Sequence, residues 1–215
     1  MTYVLQRRSD SVLVSSAVLI TLVGPSGAGK TTLARALQAA GMGRIPTTTT
    51  RPARIDEVSG RDLHVVSIQR FNQLRSSNAL IATCDYSSAS YGVQLKHLHA
   101  AAATAVPQII IVEPSGVSPL KSWAADADMR FAAIFVTLSA AAVRARLETR
   151  YAGEKGRDRE RDDRLARALE EATQWRHAYE WDFIAETGDT RLDAEAILEV
   201  VARAAEPGET FAACA

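Results

Sequence analysis

The chain has 215 residues, of which 47% are hydrophobic and 23% charged, so it is long and apolar enough to bury a sizeable core in one domain. Lysine plus arginine number 25, as do aspartate plus glutamate, so there is no basic excess of the kind that a nucleic-acid or membrane-surface binder needs. No apolar run is as long as a membrane span, and the two distant cysteines, Cys84 and Cys214, give neither a metal spacing nor a disulfide framework; the expected setting is the reducing cytoplasm.

Residues 1–16 are polar and mixed, and read as a loose leader or an edge strand. Arg7 and Arg8 ahead of an apolar stretch imitate a signal peptide. That stretch runs straight into a glycine-rich loop and cannot be cleaved off without losing it, so it reads as the first core strand, about 17–23. The loop is Gly24-Pro25-Ser26-Gly27-Ala28-Gly29-Lys30-Thr31, and a helix over about 30–40 follows, stopped by Gly41 and Gly43. Gly, four residues, Gly, Lys, Thr between a strand and a helix is the spacing of a phosphate-binding loop. The glycines let successive amides turn inward, and the helix dipole points its positive end at the same place. The expected nucleoside-triphosphate contacts are Gly24, Ser26, Gly27, Ala28, Gly29, Lys30, Thr31 and Thr32. Lys30 would reach the β- and γ-phosphates as a catalytic group, and the Thr31 hydroxyl would hold Mg²⁺.

Arg44–Thr50, with four consecutive threonines, reads as extended, and the charged segment Arg51–Asp62 as a loop. A short strand at Leu63–Val66 and a Ser67-capped helix over 68–75 follow, then a strand at 80–86 and a serine-rich turn before Tyr91-Gly92-Val93. Residues 93–105 read as helix, 108–112 and 131–138 as strands buried on both faces, and 153–163 as a mobile charge run without an apolar anchor. The Ser139-capped helix carries Arg144, Arg146 and Arg150; a long helix is expected over about 164–179, a strand over 181–185 and a helix over 192–205. Strands alternating with helices predict a parallel α/β sheet with helices on both faces. The segment 45–93, with its short strands and many turns, reads as an inserted α+β unit that holds a second substrate. Trp175, Tyr179 and Trp181 read as packing residues. Glu113 at a strand end is either a functional carboxylate or a cap for the next helix. The histidines show no ligand spacing.

From Arg51 onward the chain resembles the guanylate kinase family. Thr49-Thr50-Arg51, Arg54, Glu57, Gly60 and Asp62 stand in the family's order and spacing, followed by Phe71, Tyr91-Gly92, Glu113 with Gly116, and Tyr179-Glu180-Trp181-Asp182. The resemblance covers about residues 17–205. It implies a single phosphate-loop domain with a three-layer parallel-sheet core at about 17–44, 94–143 and 165–205, an acceptor subdomain at about 45–93 and an arginine-bearing helical lid at about 144–164. The termini, 1–16 and 206–215, would be loose. ATP with Mg²⁺ is the implied donor and GMP the implied acceptor. By the same resemblance Arg51, Arg54, Tyr91 and Thr47 grip the acceptor phosphate, Arg150 and Arg164 belong to the lid with Arg146 as a third candidate, and Glu113 touches the acceptor or orders metal-bound water.

The departures are as informative. Leu63 stands where the family has a second phosphate-binding tyrosine. Ala82, Val93 and Ile111 stand at the guanine-reading positions, unless Asp85 or Ser87 replaces them through a shift of one or two residues. Thr187 stands where an asparagine often meets the adenine. The expected protein is an ATP-dependent phosphotransferase acting on a phosphorylated small molecule. It is expected as a monomer or homodimer, with neither nucleic acid nor membrane as a partner. The acceptor is GMP by family resemblance; ribose 1,5-bisphosphate or a modified nucleotide is the alternative. A non-catalytic guanylate-kinase-like interaction module ranks last, because the phosphate loop is intact.

Overall fold

The computed structural model describes residues 18–54, 57–151, 158–186 and 194–199. In chain order the strands and helices are β1 (Val18–Val23), α1 (Lys30–Ala39), β2 (Gly43–Arg44), β3 (Thr47–Thr49), β4 (Leu63–Val65) and α2 (Ile68–Ser76). They continue with β5 (Leu80–Tyr86), β6 (Ala89–Gln94), α3 (Leu95–Ala102), β7 (Gln108–Ile111) and α4 (Val117–Asp126). The last are β8 (Arg130–Thr137), α5 (Ala140–Tyr151), α6 (Asp158–Ala178) and β9 (Phe183–Glu186). Residues 194–199 are also helical.

Two sheets organise the chain. The first has the order β2-β7-β1-β8-β9, and every neighbouring pair is parallel. A parallel sheet is covered on both faces, and β1 shows the consequence: all six of its residues are buried. Its one polar member, Thr21, donates its hydroxyl to the carbonyl of Ala132. On one face Val18, Ile20 and Leu22 pack with Leu33, Ala34 and Leu37 of α1 and with Ala194 and Ile197. On the other, Leu19 and Val23 pack with Leu98 and Ala101 of α3 and with Leu120 and Ala124 of α4. The alternation along one strand thus fills two cores, which gives the expected three layers.

The second sheet, β4-β3-β6-β5, is mixed: β3 runs parallel to β4, and β6 runs antiparallel to β3 and β5. Phe71 and Leu74 are the buried residues of α2, and Ser67 accepts the Arg70 amide as its cap. The β5–β6 register slips between Ile81 and Cys84, and Ala82 there takes a left-handed φ of 54°.

Two expectations need correction, and one element was not expected at all: residues 117–126 form α4. Its proline, Pro119, sits in the first turn, where the missing N–H is an orphan anyway. The charge run 153–163 was read as mobile surface, yet α6 starts inside it at Asp158. Arginine and glutamate are strong helix formers, and the run continues into a helix anchored by Leu165 and Ala168 against Val143 of α5. Val93 does not open a helix; it lies within β6, which runs to Gln94, and α3 starts at Leu95. The leader 1–16, Thr187, Cys214 and the tail from 206 lie outside the described residues.

Candidate active site

Both sheets open on one cavity of about 270 Å³. Its floor is the turn between β1 and α1. Gly24, Ser26, Gly27, Ala28, Gly29, Lys30, Thr31 and Thr32 all line it. A Cβ at Gly24 would lie 2.0 Å from the Val136 carbonyl oxygen, so the turn starts pressed against β8 and only glycine fits. Gly29 ends the turn with a φ of 93°, and no side chain caps α1 there. The amino end of α1 therefore faces the cavity with its dipole, as an anion site requires. The Lys30 ammonium donates to the carbonyls of Gly24 and of Pro25, the latter at 2.9 Å. It is held across the mouth of its own loop.

The opposite wall belongs to the second sheet and the segment around it. Thr47, Thr49, Arg51, Arg54, Leu63 and Tyr91 line the same cavity. Arg51 forks onto Glu57 with contacts of 2.8 and 2.9 Å, and Arg54 reaches the same carboxylate at 3.3 Å and through its backbone amide at 2.8 Å. Burial alone would raise the Glu57 pKa. The hydrogen bonds from Arg51 and the Arg54 amide, with both arginine charges, outweigh it and hold the carboxyl below its usual range. The Tyr91 hydroxyl lies beside Arg51, whose own pKa is raised because Glu57 and Tyr91 overcome the burial. Glu57 thus holds both guanidinium groups at the cavity wall. Thr47 donates its hydroxyl proton to the Ile111 carbonyl at 2.7 Å.

Between these walls stands Glu113, at the end of β7. Its side chain caps nothing in the 3-10 turn that follows, and one of its carboxyl oxygens is buried without a hydrogen-bond partner. Burial pushes its pKa up; Lys30 pulls it down and Glu171 pushes it up again. Glu113 is thus a cavity carboxyl rather than a helix cap.

Sequence reasoning missed several lining residues: Arg44, Asp62, Cys84, Tyr86 and Trp175. Trp175 was read as packing, and it does pack against the second core, but it also lines the cavity. Glu171, 7% exposed, comes close to the Tyr86 hydroxyl and the Ser26 amide. The signal was present in the helix period: Arg167, Glu171 and Trp175 recur every four residues on one face of α6. Arg167 lies 5.9 Å from the centre of the Tyr86 ring.

Other expected residues fall elsewhere. Val93 is fully buried in the core and does not line the cavity, so it reads nothing. Asp85, 68% exposed, pairs with Arg75 at 3.2 Å, and Ser87 is exposed in the turn after β5; neither lines this cavity, although Ser87 lines a neighbouring pocket with Arg51, Arg54 and Tyr91. Ala82 and Ile111 do line the cavity. Arg146 and Arg150 fall on α5 and Arg164 on α6, but their side chains lie outside the described residues. Among the described residues no three or more histidine, cysteine, aspartate or glutamate side chains gather to hold a metal, and no helix is long and apolar enough to cross a membrane.

A parallel sheet with a glycine-rich anion loop at the end of its central strand defines a phosphate-loop kinase fold. Residues 16–204 match the sequence model of the guanylate kinase family. A guanylate kinase of Nitrobacter winogradskyi is 32% identical over 170 residues, 78% of this chain and 74% of that one. A guanylate kinase of Rhizobium etli is 29% identical over 200 residues, 91% of this chain and 86% of that one. In three dimensions the guanylate kinase of Anaplasma phagocytophilum superposes with a TM-score of 0.69 at 22% identity, over 90% of this chain and 88% of that one. The chain belongs to the guanylate kinase family, and it is a nucleotide kinase.

Proposed function

We propose that the cavity transfers the γ-phosphoryl group of ATP to the phosphate of a nucleoside monophosphate, with GMP the acceptor that family membership suggests. The observation that carries this reading is that the phosphate loop and the Arg51–Arg54 pair line one and the same cavity. Phosphoryl transfer passes through a loose transition state, so the protein's part is positioning and charge neutralisation. In this reading the amides of the phosphate loop cradle the donor, and Lys30 leaves its loop carbonyls to neutralise the β- and γ-phosphates. Arg51 and Arg54 exchange Glu57 for the acceptor phosphate, with Tyr91 and Thr47 beside them. Residues 45–93 serve as the acceptor subdomain, and 144–164, with Arg146, Arg150 and Arg164, as the lid. Mg²⁺ fits the donor set: a cation carried mainly by phosphates and water needs little more than the Thr31 hydroxyl, and Thr31 lines the cavity. When bound it draws charge from the β- and γ-phosphates. The reading puts the enzyme with its substrates in the cytoplasm.

The test is ADP release from ATP in the presence of GMP and other monophosphates. Lys30→Ala should lower turnover by about a thousandfold with the melting temperature nearly unchanged, since the removed charge acts on the transferring group. Turnover within a few-fold of the parent would end the kinase reading.

A further inference from the structure

Besides the Arg51–Arg54 cradle, the cavity has an apolar wall to which Leu63, Ala82, Cys84, Ile111 and Val112 contribute. Four of these side chains end in hydrocarbon. The fifth ends in a thiol, which burial pushes to a pKa of about 11 and so keeps neutral. Three carboxyls line the cavity among the described residues; Glu57 and Asp62 are paired with arginines, and the third, Glu113, has one buried oxygen without a partner. The polar neighbours have other work: the Thr47 hydroxyl donates to the Ile111 carbonyl, and the Tyr86 hydroxyl faces Glu171.

A base is read only by groups that answer its edge. Guanine presents two adjacent donors, its ring N–H and its amino group, next to one carbonyl. An ionised carboxylate set against the donors answers both. A protonated carboxyl answers any donor set beside an acceptor: the N–H and C=O of uracil or thymine, the amino group and ring nitrogen of adenine or cytosine, or the N–H and C=O of guanine. Burial and the charge of Glu171 bias Glu113 toward that ambivalent form, against Lys30. Guanine bound through it leaves its amino group against hydrocarbon, and a buried donor left unpaired costs about ten- to hundredfold in affinity. Uracil and thymine leave no donor; the group left over is their second carbonyl, and an under-satisfied carbonyl is tolerated better than an orphaned N–H.

We propose that this wall selects the base by shape and through the single carboxyl of Glu113, so that the enzyme uses monophosphates of bases other than guanine at least as readily as GMP, those of uracil and thymine foremost. The proposal rests on the nucleoside monophosphate kinase reading given above.

It is tested on the full chain by comparing kcat/KM for GMP, AMP, CMP, UMP and dTMP with ATP as donor. UMP or dTMP should equal or exceed GMP, and a GMP preference over both of more than about twofold overturns the proposal while leaving the kinase reading intact. Silence with all five acceptors, in a protein that still binds ATP by calorimetry, overturns both. A gain-of-function variant supplies the second arm. Ala82→Glu sets a carboxylate acceptor on the wall and should raise the GMP-to-UMP ratio by about tenfold or more. Because Ala82 is left-handed, Ala82→Asn is the companion variant, since asparagine tolerates that backbone and also brings a carbonyl acceptor. If both variants bind ATP like the parent and neither moves the ratio, this wall does not read the base.

Discussion

Glu113 is one carboxyl that the fold holds in an unfavourable place. It sits at the end of a buried strand, with an unpartnered oxygen and a pKa raised by burial. A carboxyl whose pKa is higher folded than unfolded adds stability below its unfolded value, and that contribution is lost as pH rises through the folded value. Glu113→Gln removes this titration. The variant should therefore gain melting temperature relative to the parent as pH rises from about 4 to about 8. Glu171 titrates in the same direction but is present in both proteins, so the difference between the two curves reports Glu113. A difference that stays flat across that range would show that Glu113 is solvated and does not stand where its chemistry needs it. The sequence could show that a carboxylate follows an apolar run. It could not show that the side chain leaves the next turn uncapped and turns into the cavity, because that depends on the path of the chain from Pro114 to Gly116.

At the scale of elements, legibility followed the hydrophobic pattern. β1, β7 and β8 are near-continuous apolar runs and were readable as strands buried on both faces. The loop between β1 and α1 was readable because its glycines answer local backbone demands, such as the close approach of Gly24 to Val136. α6 was only half readable. Its first turns lack an apolar face, and the stripe of Arg167, Glu171 and Trp175 looks like ordinary helix surface until the second sheet is set opposite it. That stripe carries a prediction of its own. Glu171 is buried near Lys30 and the Ser26 amide, the groups assigned above to the donor phosphates. Its negative charge therefore opposes the donor. Glu171→Gln keeps the shape and removes the charge, and should tighten ATP binding by about threefold to tenfold, on the order of 1 kcal/mol of relieved repulsion. Calorimetry with ATP and the acceptor left out measures this directly; unchanged or weaker binding would mean that α6 holds its carboxyl clear of the phosphates.

At the scale of the molecule, a transfer site made from two sheets works only if the sheets are held in register. Asp62 is the point of attachment. It stands at the entrance to β4, in the second sheet, and accepts Arg44 of β2, in the first, at 2.6 Å; Arg35 of α1 lies 3.8 Å away. The Val58 amide at 2.9 Å and Arg61 at 2.8 Å complete its partners. The Asp62 and Arg44 side chains are 1% and 5% exposed, so neither charge has water to fall back on. Burial alone would raise the Asp62 pKa; the bonds from Arg61 and Val58 and the charges of Arg44 and Arg61 keep it lowered. Replacing one partner of such a pair strands the other charge, which costs about 3–5 kcal/mol. In a domain of this size each kcal/mol is about 2–4 °C of melting temperature, so Asp62→Asn should melt roughly 10 °C below the parent. Arg61 is 51% exposed and should matter little: Arg61→Ala is expected to stay within about 4 °C, because a half-exposed ion pair is worth at most about 1 kcal/mol. The pair of variants separates attachment from mere charge. If Asp62→Asn and Arg61→Ala melted alike, the buried Arg44–Asp62 contact would not be what joins the acceptor side to the phosphate loop, and another contact between the two sheets would have to hold the Arg51–Arg54 pair opposite Lys30.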